Sequence, residues 1–272
     1  MATLYIVGTP IGNLEDITLR ALDILKKADI IAAEDTRHTR ILLDRYSIKT
    51  PLTSYHKFNI KEKTKQIISI IKSGKDIALV SDAGMPGISD PGYELISEAI
   101  KNDISVVPIP NTSALLVALS ASGMNTDRFV FEGFLPASGG ERRDRLEQLR
   151  SETRTIVIYE APHRIVKTLN DINDHLGDRY ICVARELTKK FEEFSRGRIT
   201  ELIDKYSRSK PKGEFVIVIE GMSEEKEKNP EELKALVATL MRSGMSRKDA
   251  VKIASDHGKV PKNKLYKLAL DI

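Results

Sequence analysis

Residues 76–100 read DIALV-SDAGMPGISDPG-YELISEAI. Asp76 to Val80 is an apolar run of buried-strand length, and Tyr93 to Ile100 carries apolar residues at helical spacing. Between them, Ser81 to Gly92 places three glycines, two prolines and two aspartates in twelve residues. A plain connection needs no such composition. Glycine lets backbone approach closely and proline stiffens the path. A rigid, polar-rimmed loop at the carboxyl end of a strand is where an α/β sheet holds a ligand. The stretch therefore predicts an α/β fold and a binding site together.

Outward from this loop, strands and helices alternate. Residues 4–8, 29–33, 76–80 and 104–108 read as strands. Helical spacing covers 18–27, 37–45, 60–73 and 93–101, and Pro110 to Ser113 caps a helix running to Ala121. This alternation predicts a mostly parallel sheet and a first domain over residues 1–122. A second α/β domain over 123–222 has strands at 129–134, 155–159, 180–184 and 214–219, with a short strand pair or turn at 193–198. Its mixture of hairpin-like and helical pieces predicts a partly antiparallel sheet. Beyond the charged linker Ser223–Lys228, residues 229–272 predict three short helices, read either as a helix-turn-helix-like module or as an appendage that packs on the body or on a second subunit. Asn229-Pro230 opens the first, and Ser246 with Asp249 has capping-box spacing in the second.

Charge is unevenly spread. The whole chain carries 43 Lys/Arg against 39 Asp/Glu, yet residues 234–272 hold nine Lys/Arg against three acids. A basic module on a near-neutral body points to a polyanionic partner; a solvated helical surface explains the same residues equally well. Among the tail residues, Arg247, Lys248, Lys252, Lys262 and Lys264 are the candidate nucleic-acid contacts. Arg142, Arg143, Arg145, Arg150 and Arg154 alternate with acids, so pairing along a helix absorbs their charge. Cys182 lies alone in an apolar run and reads as core. With one cysteine, no membrane-length apolar stretch and no signal-like leader, the expected compartment is the cytoplasm. No metal-ligand spacing is present, and none is expected to be bound.

Gly8-Thr9-Pro10-Ile11-Gly12 follows the first strand, and Glu34-Asp35 end the second, as in a dinucleotide-binding unit. Pro10, however, stands where that motif has its second glycine and removes an N–H that would face a pyrophosphate. The turn favours a ligand without phosphates.

Five segments taken together resemble the tetrapyrrole methylase superfamily: Leu4–Asn13, Ala33–Thr39, Ser81–Gly92, Pro108–Ala114 and Tyr159–Arg164. Val183–Lys189 and Gly213–Val216 continue the match, and Asn111 departs from the more usual glycine. The Glu-Asp-Thr-Arg and Glu-Ala-Pro-His-Arg segments resemble the branch that methylates small-subunit ribosomal RNA. That resemblance implies two α/β domains with a cofactor cleft between them, S-adenosylmethionine as cofactor, and a homodimer. It further implies 2′-O-methylation of a cytidine ribose in the decoding region of 16S rRNA in the small ribosomal subunit. Carried over residue by residue, cofactor contacts would come from Pro10, Ile11, Asp82, Gly84, Met85, Ile88, Ser113, Ala114, Glu160, Ala161 and Gly213.

A ribose hydroxyl needs a base or a cation beside it to become a nucleophile. Candidates are Glu34, Asp35, Arg37 and His38 at one strand end and Glu160, His163 and Arg164 at another, with an acid–arginine pair facing the cleft expected. Each histidine also reads as a surface or structural residue, and Arg37 and Arg164 also read as phosphate clamps. Arg185 and Lys189 are further RNA contacts, and base stacking would fall to Tyr55, Tyr159, Phe191 or Phe194. A small-molecule tetrapyrrole methylase and a non-catalytic ribosome-assembly protein remain as alternatives. The arginine-bearing motifs and basic tail weigh against the first, and the rigid loop against the second.

Overall fold

The computed structural model describes residues 2–208, 212–222, 230–258 and 262–269. The linker 223–228, the Asn229 cap and the ends of the third tail helix expected at Pro261 and Leu270 lie outside them. The described chain forms two compact units, residues 1–221 and 222–272.

The first unit holds two five-stranded sheets. In chain order, the first contains β1 (Thr3–Val7), α1 (Leu19–Lys27), β2 (Ile30–Ala33), α2 (Thr36–Arg45), β3 (Leu52–Ser54) and α3 (Ile60–Lys72). Then come β4 (Ile77–Val80), α4 (Tyr93–Lys101), β5 (Ser105–Ile109) and α5 (Ala114–Ser122). Strand order is β3-β2-β4-β1-β5, and every pairing is parallel. β4 is buried along its whole length, as a strand covered on both faces must be, which is why it is uniformly apolar. Pro108 is tolerated because β5 is an edge strand, paired with β1 alone. Residues 110–113 lead into α5 with Ser113 at its N-cap, in keeping with their capping pattern.

The second sheet contains β6 (Phe129–Phe134), α6 (Gly140–Leu149), β7 (Thr155–Glu160), α7 (Ile165–Leu176), β8 (Tyr180–Arg185), β9 (Glu193–Arg198), α8 (Ile199–Ser207) and β10 (Phe215–Ile219). Only β6 and β7 pair in parallel; β10 is antiparallel to both β7 and β8. Residues 193–198 form a single six-residue strand along β8 rather than a pair or turn. β10, last in sequence, occupies the centre of the sheet and is fully buried. Cys182 is buried in β8, and burial pushes its thiol pKa up.

The second unit contains α9 (Pro230–Arg242), α10 (Arg247–Gly258) and α11 (Lys262–Leu268) around Leu233, Val237, Val251 and Leu265. Ser246 accepts from the Asp249 backbone (3.2 Å) and donates to the Asp249 carboxylate (2.6 Å), fixing the start of α10.

Candidate active site

β1 runs on to β2 on one side of it, and β4 to β5 on the other. The carboxyl ends of β1 and β4 therefore flank the point where strand order reverses, the usual ligand position in an open α/β sheet. Their loops are tied there: Thr9 N donates to Gly84 O (2.9 Å) and Gly84 N to Thr9 O (3.0 Å). The Thr9 hydroxyl donates to Ser81 O (3.1 Å). From the β5 loop, the Asn111 amide donates to Gly8 O (2.9 Å), so the departure at Asn111 serves as a brace. A Cβ at Gly8 would stand 2.6 Å from the Met85 sulfur and 2.7 Å from Asn111 Cβ, so glycine is required for packing of the three loops.

These loops and the carboxyl end of β7 enclose a cavity of about 450 Å³, a volume typical of small-molecule sites. Ile11, Asp82, Gly84, Met85, Ile88, Ser113, Ala114, Glu160 and Ala161 line it together. Pro10 does not; it faces a recess of about 60 Å³ on the other side of Asp82, shared with His38. Gly213 does not line it either. The neighbouring Glu214 does, and a Cβ on Gly213, whose φ is 89°, would run into the Glu186 side chain.

Five carboxylates line the cavity (Glu34, Asp82, Asp90, Glu160 and Glu214), and no Lys, Arg or His does among the described residues. Asp82 accepts from the Asp35 backbone N–H (3.0 Å), which fixes it at the end of β2. Burial raises the pKa of Glu34, with Asp82 adding to the effect. Burial, then Glu34 and Asp82, push Asp90 up to about 7. Apolar walls come from Ile11, Met85, Leu187, Phe215 and Val216, with Phe134 and Tyr159 as aromatic edges. The Tyr159 hydroxyl accepts from Leu115 N (3.0 Å) at the start of α5.

Glu160 differs from its neighbours in being saturated. It is 1% exposed and accepts from Ala161 N (2.8 Å), Arg164 Nε (2.8 Å) and the Thr168 hydroxyl. Arg142, buried, reaches the same Thr168 (2.8 Å) and pairs with Asp171 (2.7 Å). The Glu160–Arg164 pair is therefore an anchor under β7, with the Arg164 donors committed inward.

Of the two candidate acid–arginine pairs, Glu160 of the pair with Arg164 lines the cavity, whereas Asp35 and Arg37 pair outside it. Asp35 caps α2 through Arg37 N (2.8 Å), and the Arg37 guanidinium clasps the same carboxylate (2.7 Å) in solvent. Hydrogen bonds from the Arg37 side chain hold the Asp35 carboxyl well below the usual range. His38 and His163 are exposed and outside the cavity. Arg185 pairs with Glu193 (2.7 Å), and Lys189 with Glu186 (3.0 Å) and Glu214 (3.5 Å). Tyr55 is buried and bonded to Thr64 (3.2 Å), so it cannot stack on a base. In the second unit Lys248, Lys252 and Lys262 are exposed and Arg247 is half-buried; the Lys264 side chain lies outside the described residues. Asp90 and Glu214 were not singled out by sequence. Asp90 sits in the decisive loop, and Glu214 opens a strand beside a positive-φ glycine.

Two α/β sheets around a switch-point cavity of this kind, followed by a three-helix unit, define the class of protein. Residues 3–203 match the model of the Tetrapyrrole (Corrin/Porphyrin) Methylases, and residues 227–272 match that of the RsmI C-terminal HTH domain. "Ribosomal RNA small subunit methyltransferase I" of Synechocystis sp. is 46% identical over 275 residues, covering 100% of this chain and 99% of its own. The protein of the same name from Thermotoga maritima is 50% identical over 221 residues, 81% of this chain and 99% of its own. Among solved structures, uroporphyrin-III C-methyltransferase from Thermus thermophilus, complexed with S-adenosyl homocysteine, matches with a TM-score of 0.58. It is 18% identical and covers 80% of this chain and 97% of its own. The chain belongs to the tetrapyrrole methylase family and, within it, to the ribosomal RNA small subunit methyltransferase I family. The methyl donor of the family is S-adenosylmethionine.

Proposed function

We propose that the chain methylates the ribose 2′-hydroxyl of a cytidine in the decoding region of 16S rRNA, using S-adenosylmethionine and acting as a homodimer in the cytoplasm. The observation that carries the cofactor half of this reading is the cavity's charge: five carboxylates and no cationic side chain among the described residues. Such a site repels phosphate and attracts a molecule with sulfonium and ammonium groups. Its apolar walls suit a planar adenine.

When bound, the cofactor supplies a methyl group already activated by positive sulfur, so the protein's work is to position, desolvate and manage one proton. Asp82, fixed by the Asp35 N–H, holds positive charge at the β2–β4 edge. Gly84 and Met85, tied to Thr9, set the wall beside it. Glu160 holds Ala161 and the turn after β7 in place rather than taking part in proton transfer, because its oxygens are already occupied. Asp90, with a pKa near neutrality, is the carboxylate suited to accept the hydroxyl proton. The acceptor assignment draws on family membership and on the basic second unit.

The test is mass mapping of rRNA after incubation with this protein and S-adenosylmethionine, offering naked 16S rRNA and small subunits in parallel. One cytidine should gain a methyl and an alkali-resistant phosphodiester. Methylation on a base, or on another nucleotide, would replace the assignment. Light scattering at micromolar concentration should return twice the monomer mass.

A further inference from the structure

The loop between β3 and α3 holds an aromatic ring in solvent. Tyr55 before it and Ile60 after it pack into the core, yet Phe58 is 84% exposed. The loop is braced. His56 N donates to Asn59 Oδ1 (2.9 Å), and the Asn59 amide donates to the Ser54 hydroxyl (3.2 Å). The His56 ring meets Phe58 edge-on at 6.0 Å, and Lys57 Nζ lies 4.9 Å from the ring centroid. A single exposed apolar residue is ordinary, but a braced one under a lysine is a surface prepared for a planar, anion-bearing partner.

The loop after β8 repeats the pattern. Phe191 is 68% exposed with Lys190 Nζ 5.7 Å from its ring. Here Thr188 N donates to the Glu192 carboxylate (2.7 Å), and Asn13 N donates to the Thr188 hydroxyl (3.1 Å). Glu186 and Thr188 both hold positive φ, 52° and 64°, a strained path that the surrounding bonds maintain.

Both loops adjoin the cavity. At the base of the first loop Tyr55 N donates to Ala33 O (2.7 Å), one residue before the cavity-lining Glu34, and Lys189 pairs with Glu214 (3.5 Å). One tip thus stands beside the wall that follows β2, the other beside the wall that precedes β10. Lys57 in the loop, with the exposed Lys61 and Lys65 in the first turns of α3 against the single acid Glu62, gives this end a basic surface, which favours a polyanion over an apolar protein groove.

Resting on the rRNA reading above, we infer that Phe58 and Phe191 are stacking platforms for unpaired nucleobases of the RNA strand that flanks the methylated nucleotide, with Lys57 and Lys190 against its phosphates. Single-stranded RNA offers unstacked bases, and each base stacked on an aromatic side chain contributes about 1–3 kcal/mol.

The experiment uses the full chain with Phe58→Ala, Phe191→Ala and the aromatic replacement Phe58→Trp. Binding of a single-stranded RNA oligonucleotide carrying 2-aminopurine is read by fluorescence quenching, and methyl transfer by KM and kcat on small subunits. Each alanine variant should lose quenching and weaken RNA affinity about tenfold, from the stacking energy above. It should raise KM with kcat and S-adenosylmethionine affinity unchanged, and Phe58→Trp should restore both readouts. Wild-type affinity in Phe58→Ala, or no restoration by tryptophan, overturns the assignment. So does a defect on assembled subunits that is absent on the oligonucleotide, since the ring then docks on protein. If the wild-type chain transfers no methyl to rRNA, the functional reading fails, while the quenching measurement still judges the platforms.

Discussion

Asp90 shares its cavity with Glu34, Asp82 and Glu214, and burial with this crowding lifts its pKa from 3.8 to about 7. Between those values the folded chain keeps a proton that the unfolded chain has released. Asp90 therefore lowers stability as pH rises through that window, and the loss is complete above it. Asp90→Asn should melt higher than wild type at about pH 8 and nearly the same at about pH 4, by thermal unfolding without cofactor. A cationic ligand reverses the preference and expels the proton. S-adenosylmethionine should thus bind wild type more tightly at about pH 8 than at about pH 6, by calorimetry, and Asp90→Asn should flatten that slope. An equal slope in both proteins would remove Asp90 from the ligand's field. Arg164 lies at the opposite extreme. It neutralises a carboxylate that is 1% exposed, so Arg164→Ala should cost about 3–5 kcal/mol in urea denaturation, as removal of one partner from a buried pair does. Sequence placed both Arg164 and Arg37 near chemistry. It had no means to show that one turns inward to Glu160 and the other outward to Asp35, because side-chain direction follows from tertiary contacts.

The Ser81–Gly92 loop is held by a contact that its composition hints at but does not specify. Gly92 has φ 158°, and a Cβ there would lie 2.8 Å from Gly87 N and 3.1 Å from Gly87 Cα. Both obstacles are backbone, so nothing flexible can yield. Gly92→Ala should displace the loop, weaken S-adenosylmethionine about tenfold by calorimetry and cost about 1–3 kcal/mol of stability. Unchanged affinity would mean that the loop shapes the site without its Gly87–Gly92 contact. The elements legible in sequence are those whose own pattern is strong: the apolar β4 run, the period of α1 and α3, the capping box of α10. β3 escaped because three residues after a proline carry no periodicity, and it exists only through parallel pairing with β2. The central place of β10 is likewise a matter of topology; its apolar run announces burial on both faces but not which strands provide it. Asp90 and Glu214 share this character, since a cavity wall is assembled from segments far apart in sequence.

At the scale of the molecule, residues 1–221 and 222–272 are separate compact units with separate cores. The match to the Thermotoga maritima relative spans nearly all of that chain and leaves unmatched about as many residues here as make up 222–272. Every residue lining the cavity belongs to the first unit. A chain ending at Gly221 should fold and bind S-adenosylmethionine with wild-type affinity. Its RNA affinity should fall, because Lys248, Lys252 and Lys262 are exposed where phosphates can reach them. If each such contact releases a counterion, the logarithmic salt dependence of RNA binding should become shallower by about 0.7 per lost contact on a single strand. Filter binding over a salt series measures both quantities at once. A parallel fall in affinity at every salt concentration, with the slope intact, would give the helical unit a positioning role without phosphate contact. A shallower slope would make it the electrostatic arm that brings RNA to a cavity whose own carboxylates repel it.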